Sequence, residues 1–117
     1  MDINETLKET ARIWNVLADN PSMLKYRVPG ASKYRHYCPC CTYVEKMYNI
    51  DKDSGMSSVL CRNDCPMWEA WGNEFCEWYG PYTKWVQQSG VISSYDKSFF
   101  ALLIAEWAEY LLTKNEE

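Results

Sequence analysis

Apolar positions in the opening stretch DINETLKETARIWNVLADN recur three or four residues apart. Ile3, Leu7, Trp14 and Leu17 fall on one side, with Ala11 and Ala18 beside them. That spacing predicts an amphipathic helix over 3–19. Asp2, followed three residues later by Glu5, has the form of a capping box, and Asn20-Pro21 closes the element. The far end of the chain repeats the pattern more strongly. From Ser94, SYDKSFFALLIAEWAEYLLTKNEE sets Phe100, Leu103, Ile104, Trp107, Ala108 and Leu111 on one stripe. It predicts a long helix over 94–113 with a broad buried face.

Between these helices the pattern is less regular. VPG and AS mark a loop. TYVEKMYNIDKDSGMSSVLC is ambiguous: Tyr43, Val44, Met47 and Tyr48 suit a helical face, while the turn DKDSG allows a short hairpin around residues 43–60. CEWYGPYTKWVQQSG predicts a turn at Gly80-Pro81 and a short helix stopping at Ser89-Gly90. No internal repeat or low-complexity tract interrupts the chain. The expected fold is mainly α: a single domain over 1–117, its first and last helices packed together, with a Cys-rich metal-binding region at 36–76.

Composition narrows the picture. The 117 residues are 47% hydrophobic and 24% charged, which places the chain with globular proteins and away from disordered ones. Aromatic residues make up 15%, with six Trp and nine Tyr, enough to fill a core with rings and leave some at an interaction surface. A net charge of −4 is too mild to imply a nucleic-acid mimic. MDINETLKET has neither an apolar nor a basic leader, so no signal peptide is expected. The longest apolar run, Phe99 to Ala105, is far too short to cross a bilayer, so no membrane partner is expected. The expected setting is a reducing cytosol, where clustered cysteines bind metal more often than they form structural disulfides.

The cysteines carry the clearest chemistry. Cys38 and Cys41 form Cys-x2-Cys in HYCPCCTY, with Pro39 stiffening the loop and Cys40 expected to face away. Cys61-Arg-Asn-Asp-Cys65-Pro66 supplies a second close pair. Two thiolate pairs separated by a loop suit a tetrahedral four-sulfur site, and zinc is the metal that such donors favour. The expected ligands are Cys38, Cys41, Cys61 and Cys65. The second pair is looser by one residue, so Cys76, and less readily Cys40 or His36, could replace Cys61. The blander alternative is a set of buried thiols acting as small apolar residues. With thiols in excess and a single histidine, a metal here would be closed in and structural, with no open position for catalysis.

The order CPCC, CRNDCPMW, Cys76 and GPYTKW resembles a group of small cysteine-rich, zinc-knuckle-like proteins of tailed bacteriophages and prophages. Trp14, Cys38, Cys41, Cys61, Cys65, Pro66, Cys76, Tyr82 and Trp85 carry that resemblance, in order, over most of the chain. The extra residue between Cys61 and Cys65, and the additional Cys40, depart from it. The resemblance implies a phage origin and metal binding, hence the cytoplasm of an infected bacterium, and supplies no activity.

Two functional readings follow, neither enzymatic. A thiol enzyme would need a base beside its nucleophile, and His36 sits within the expected metal site. DKDSG lacks the glycine and closing glutamate of a calcium loop. In the first reading the chain is a phage accessory protein that binds a host protein, as a host-modulating or anti-defence factor. Trp68 and Trp78, each beside an acid, are its candidate partner-binding residues, while Trp71 and Trp85 are assigned to the core. In the second, Lys25, Arg27, Lys33 and Arg35, interleaved with tyrosines in segment 25–37, bind nucleic acid or a nucleotide beside a zinc knuckle. Residues 22–50 hold five Lys or Arg against one acid, but residues 51–117 hold five against eleven. A solvated basic loop accounts for the first imbalance as simply.

Overall fold

Asp2 starts the first helix. Its carboxylate accepts from the Glu5 N–H at 2.8 Å, satisfying one of the amide groups that no earlier turn can reach. In the computed structural model, which describes residues 2–34, 37–48, 65–67, 85 and 94–116, three α-helices stand out. They are α1 (Ile3–Asp19), α2 (Pro39–Tyr48) and α3 (Ser94–Glu116). Short 3-10 turns at Lys25–Arg27 and Ala31–Lys33 link α1 to α2, and no strand occurs among the described residues. The predicted bounds of α1 hold, and α3 runs three residues past its predicted end. No helix among the described residues is long and apolar enough to cross a membrane.

The core lies where α1 meets α3 and α2. Leu7, Ile13, Trp14 and Leu17 of α1 are buried with Ala101, Ile104, Ala105, Ala108 and Leu111 of α3. Thr6 and Thr10 are buried too, positions that an apolar count of α1 passes over. Each hydroxyl donates to the carbonyl four residues back, Thr6 to Asp2 and Thr10 to Thr6, both at 2.8 Å, so neither is left unsatisfied. Ile3, expected on the buried face, is exposed.

On α3 the buried stripe shares Ile104, Ala108 and Leu111 with the one that periodicity picks but is rotated away from the rest. Trp107 turns outward, Phe100 and Leu103 are half-buried, and Ala101, Ala105 and Ala108 face α1 with no exposure. Small side chains let two helix backbones approach closely, while the bulky ones fit better outside the seam. At the edge of the seam Ser98 donates to the Ala18 carbonyl at 2.7 Å, and Asn15 donates to Glu109 at 3.1 Å.

The chain between α1 and α2 is fixed by local chemistry. Val28-Pro29-Gly30-Ala31 closes with Ala31 N–H donating to the Val28 carbonyl at 3.0 Å. Gly30 takes φ 82°, the left-handed conformation that this turn requires at its third residue. A Cβ there would also lie 3.2 Å from the Arg12 guanidinium.

The hairpin considered around residues 43–60 is overturned over its first part. Pro39 at the first helical position and a buried Val44 one turn beyond Cys40 commit residues 39–48 to α2, so no strand begins at Tyr43. Residues 49–60 lie outside the described residues. Of the short helix expected after Gly80-Pro81, only Trp85 is described; it is helical and, as expected, buried.

Candidate functional site

The site is built at the N-terminus of α2. Tyr37 takes φ 56°, unusual for a residue with a side chain, and turns the chain sharply just before Cys38. Cys38 then occupies the capping position ahead of Pro39. The Cys41 N–H bonds the Cys38 sulfur, which therefore does at this helix what the Asp2 carboxylate does at α1. A Cys-x2-Cys at a helix start thus serves two purposes: the first sulfur caps the helix and the second lies beside it.

Cys38, Cys40, Cys41 and Cys65 stand as thiols and gather in one place. Their contacts run from Cys41 to Cys38, from Cys38 to Cys40, and from Cys40 to Cys65. Hydrogen bonds from the Cys40 and Cys41 thiols hold the Cys38 thiol well below the ordinary value; burial opposes this, and the Lys25 charge and the Cys41 amide add to it. Cys40 moves the opposite way. Its bonds to Cys38 and Cys65 push it well above the ordinary value, and burial and the charges of both neighbours add to the effect. Thr10 Oγ1 lies 3.6 Å from the Cys40 sulfur and ties the cluster to α1.

This corrects one expectation. Cys40 does not face away; it is buried between Cys38 and Cys65. The reason is helical geometry, since a residue two places after the cap points into the core when Val44, one turn later, is also buried. Of the expected ligands, Cys38, Cys41 and Cys65 are brought to one cluster, while Cys61, the reserve Cys76 and His36 lie outside the described residues. Among the described residues, no three His, Cys, Asp or Glu side chains are arranged as an ion site. In kind the donors suit zinc: soft sulfurs from two segments well separated in sequence.

Each described cation of the basic segment lies against a ring of the protein itself. Lys25 lies over the Trp14 ring at 5.4 Å, Arg27 over Tyr26 at 5.5 Å and Lys33 over Tyr34 at 5.2 Å. Glu9 gathers the rest: it pairs with Arg12, accepts from Tyr34 OH at 2.6 Å and lies 3.7 Å from Lys33. Arg35 lies outside the described residues. Arg27 and Lys33 stay exposed, and beside them Tyr26 and Tyr37 are exposed rings 6.0 Å apart.

Arg12's hydrogen bond, with help from Tyr34 and the Lys33 charge, holds Glu9 below its ordinary value of 4.5 against the opposing effect of burial. A depressed carboxylate contributes stability that is complete above the unfolded-state value and lost as pH falls through the folded one. Glu9→Gln should therefore cost about 1 kcal/mol at neutral pH, the group being partly exposed. In urea titrations the difference from the native chain should shrink as pH drops below 4.5.

Trp68 and Trp78, the expected partner-binding residues, lie outside the described residues. A different aromatic surface is present, and of its members the sequence pattern places only Trp107 on the buried stripe. Phe99, Leu102, Trp107 and Tyr110 are exposed on the side of α3 away from α1, and the Trp107 and Tyr110 rings meet edge to face at 5.7 Å. The available signal was that α3 is apolar nearly all round, more than one neighbouring helix can cover. Comparison of the chain with family models, curated proteins and solved structures gives no match.

Proposed function

We propose that this chain is a non-enzymatic accessory protein of a tailed bacteriophage, acting in the cytoplasm of the infected bacterium, where it binds a host protein. A structural zinc ion held by Cys38, Cys41, Cys65 and a fourth thiolate, Cys61 or Cys76, fastens the middle of the chain to α2. The outward side of α3 does the docking, and a role in modulating the host or blocking its defences follows from that activity. One observation carries the proposal: four large apolar side chains, Phe99, Leu102, Trp107 and Tyr110, exposed along a helix already packed on its other side. Exposed aromatic residues in contiguous patches mark protein-binding surfaces, where a few rings supply much of the affinity.

The alternative, binding of nucleic acid or a nucleotide through segment 25–37, is favoured by the exposed Tyr26–Tyr37 pair with Arg27 against it. It is weakened by Lys25 and Lys33 being drawn onto Trp14, Tyr34 and Glu9.

Immobilised protein exposed to nuclease-treated bacterial lysate should retain a host protein, and Tyr110→Ala should reduce that retention severalfold. Single-stranded DNA and RNA should bind weakly under the same conditions. If instead single strands bind tightly, with affinity falling steeply as salt rises, and charge reversal at Lys25, Arg27, Lys33 and Arg35 abolishes this, the alternative is correct.

A further inference from the structure

We infer that the outward side of α3 seats a cationic amphipathic helix of the partner protein. This rests on the docking role proposed above and names the chemistry of what docks. Phe99, Leu102, Glu106 and Tyr110 recur three or four residues apart, so they form one stripe along α3, with Trp107 at its flank against Tyr110. Glu106 is the charged member of that stripe and is exposed. The positions one turn from it are Leu102, Leu103, Glu109 and Tyr110, and no Lys or Arg falls between Lys97 and Lys114. Among the described residues Glu106 forms no salt bridge within the chain. An apolar stripe with a carboxylate at its middle and a second, Glu109, at its edge is complementary to a helix of the opposite kind. Aliphatic residues of such a helix would cover Leu102 and the ring edges, and its lysines or arginines would meet Glu106 and stack on Trp107 or Tyr110.

Charge also decides against the nearest rivals. A second copy laid on the same stripe would bring Glu106 and Glu109 against their own counterparts, in a chain of net charge −4. An anionic lipid surface would meet the same repulsion.

Two synthetic helical peptides with identical leucine patterns, one bearing lysines and the other glutamates, test this on the full chain by fluorescence anisotropy. The Leu/Lys peptide should bind saturably with one site per chain, at least tenfold tighter than the Leu/Glu peptide at low salt, with the gap narrowing as salt rises. Glu106→Lys should weaken the Leu/Lys peptide roughly threefold to tenfold. Leu102→Asp should weaken it at least tenfold even though it adds negative charge, which separates seating from general attraction. Tyr110→Ala, a milder change, should weaken it severalfold and guards against a folding defect in Leu102→Asp. Equal binding of both peptides, or binding indifferent to Leu102→Asp and Tyr110→Ala, overturns the inference. So does a dimer in sedimentation that Leu102→Asp dissolves, or a large drop in melting temperature in both variants, which would mean that the stripe is covered from within the chain. If a host protein is captured through Tyr110 while the Leu/Lys peptide is ignored, the docking role stands and the cationic helix does not. If neither binds, both fail.

Discussion

Cys38→Ser is expected to empty the zinc site proposed above and to collapse the stability of the protein. Purified under reducing conditions, the native chain should carry one zinc per molecule by elemental analysis, and the variant should carry almost none. Serine caps a helix at least as well as the Cys38 sulfur does, so α2 keeps its start and the loss falls on the soft ligand. Structural zinc sites contribute roughly 10–16 kcal/mol of apparent folding energy, against a total stability of about 5–15 kcal/mol for ordinary domains. Without it, Cys65 and Met67, which are buried in the core, would lose the proposed crosslink to the start of α2. Strong chelator should reproduce the effect in the native chain, with helical signal lost well below the native melting temperature. Acid should do so as well. The bound sulfurs must be unprotonated, so protons compete with the ion, and the stabilisation is present at neutral pH and lost as pH falls. Cys40→Ser should keep most of the zinc, since its hydroxyl can still donate to the Cys38 sulfur. A native chain that holds no stoichiometric metal and melts identically in chelator would refute the site. The gathered thiols would then be a buried polar cluster held by their own hydrogen bonds.

What the sequence disclosed and what it hid have physical causes. The cap at Asp2, the stop at Asn20 and the turn at Pro29-Gly30 were legible because each rests on chemistry within four residues. The bounds of α1 follow from them. The pairing of thiols in two short motifs pointed to a cluster, but the thiol that Cys65 meets is Cys40, the one expected to face away. The buried side of α3 was legible only in part: Ile104, Ala108 and Leu111 are buried as expected, while Ala101 and Ala105 take the places given to Leu103 and Trp107. Periodicity measures contrast between faces, and α3 has little, so the larger side chains at Leu103 and Trp107 drew the expected stripe toward themselves. Packing decided otherwise, because α1 approaches along the alanines. Cys40 was misplaced for a related reason. Spacing pairs Cys38 with Cys41 but cannot say that the residue between them, one turn before Val44, points into the core. The basic segment illustrates a third limit: counting charges does not show that Glu9, far back on α1, engages Arg12, Lys33 and Tyr34.

Trp14→Ala should be the most damaging single change away from the cysteines. Trp14 is 3% exposed and lies at the joint of three parts of the molecule. It meets Trp85 edge to face at 5.0 Å and 83°, and Lys25 lies over its ring. Lys97 of α3 lies over the Trp85 ring at 4.5 Å, so two cations flank a pair of rings spanning α1, α3 and the segment around residue 85. Truncating a buried tryptophan costs about 3–5 kcal/mol, because the cavity collapses only in part. At this chain length the melting temperature should fall by roughly 10–25 °C, each kilocalorie being worth a few degrees. Trp14→Phe should lose less, since a ring remains to face Trp85. A double-mutant cycle between the two tryptophans should return a coupling of about 0.5–1.5 kcal/mol, the ordinary value for an aromatic pair beyond its burial. Tyr110→Ala provides the contrast. That residue is 56% exposed, and its removal should shift stability by no more than about 0.5 kcal/mol while weakening docking. Stability losses of similar size at positions 14 and 110 would contradict the division of labour between the inner ring pair and the outer stripe, and would place the outer rings in the core after all.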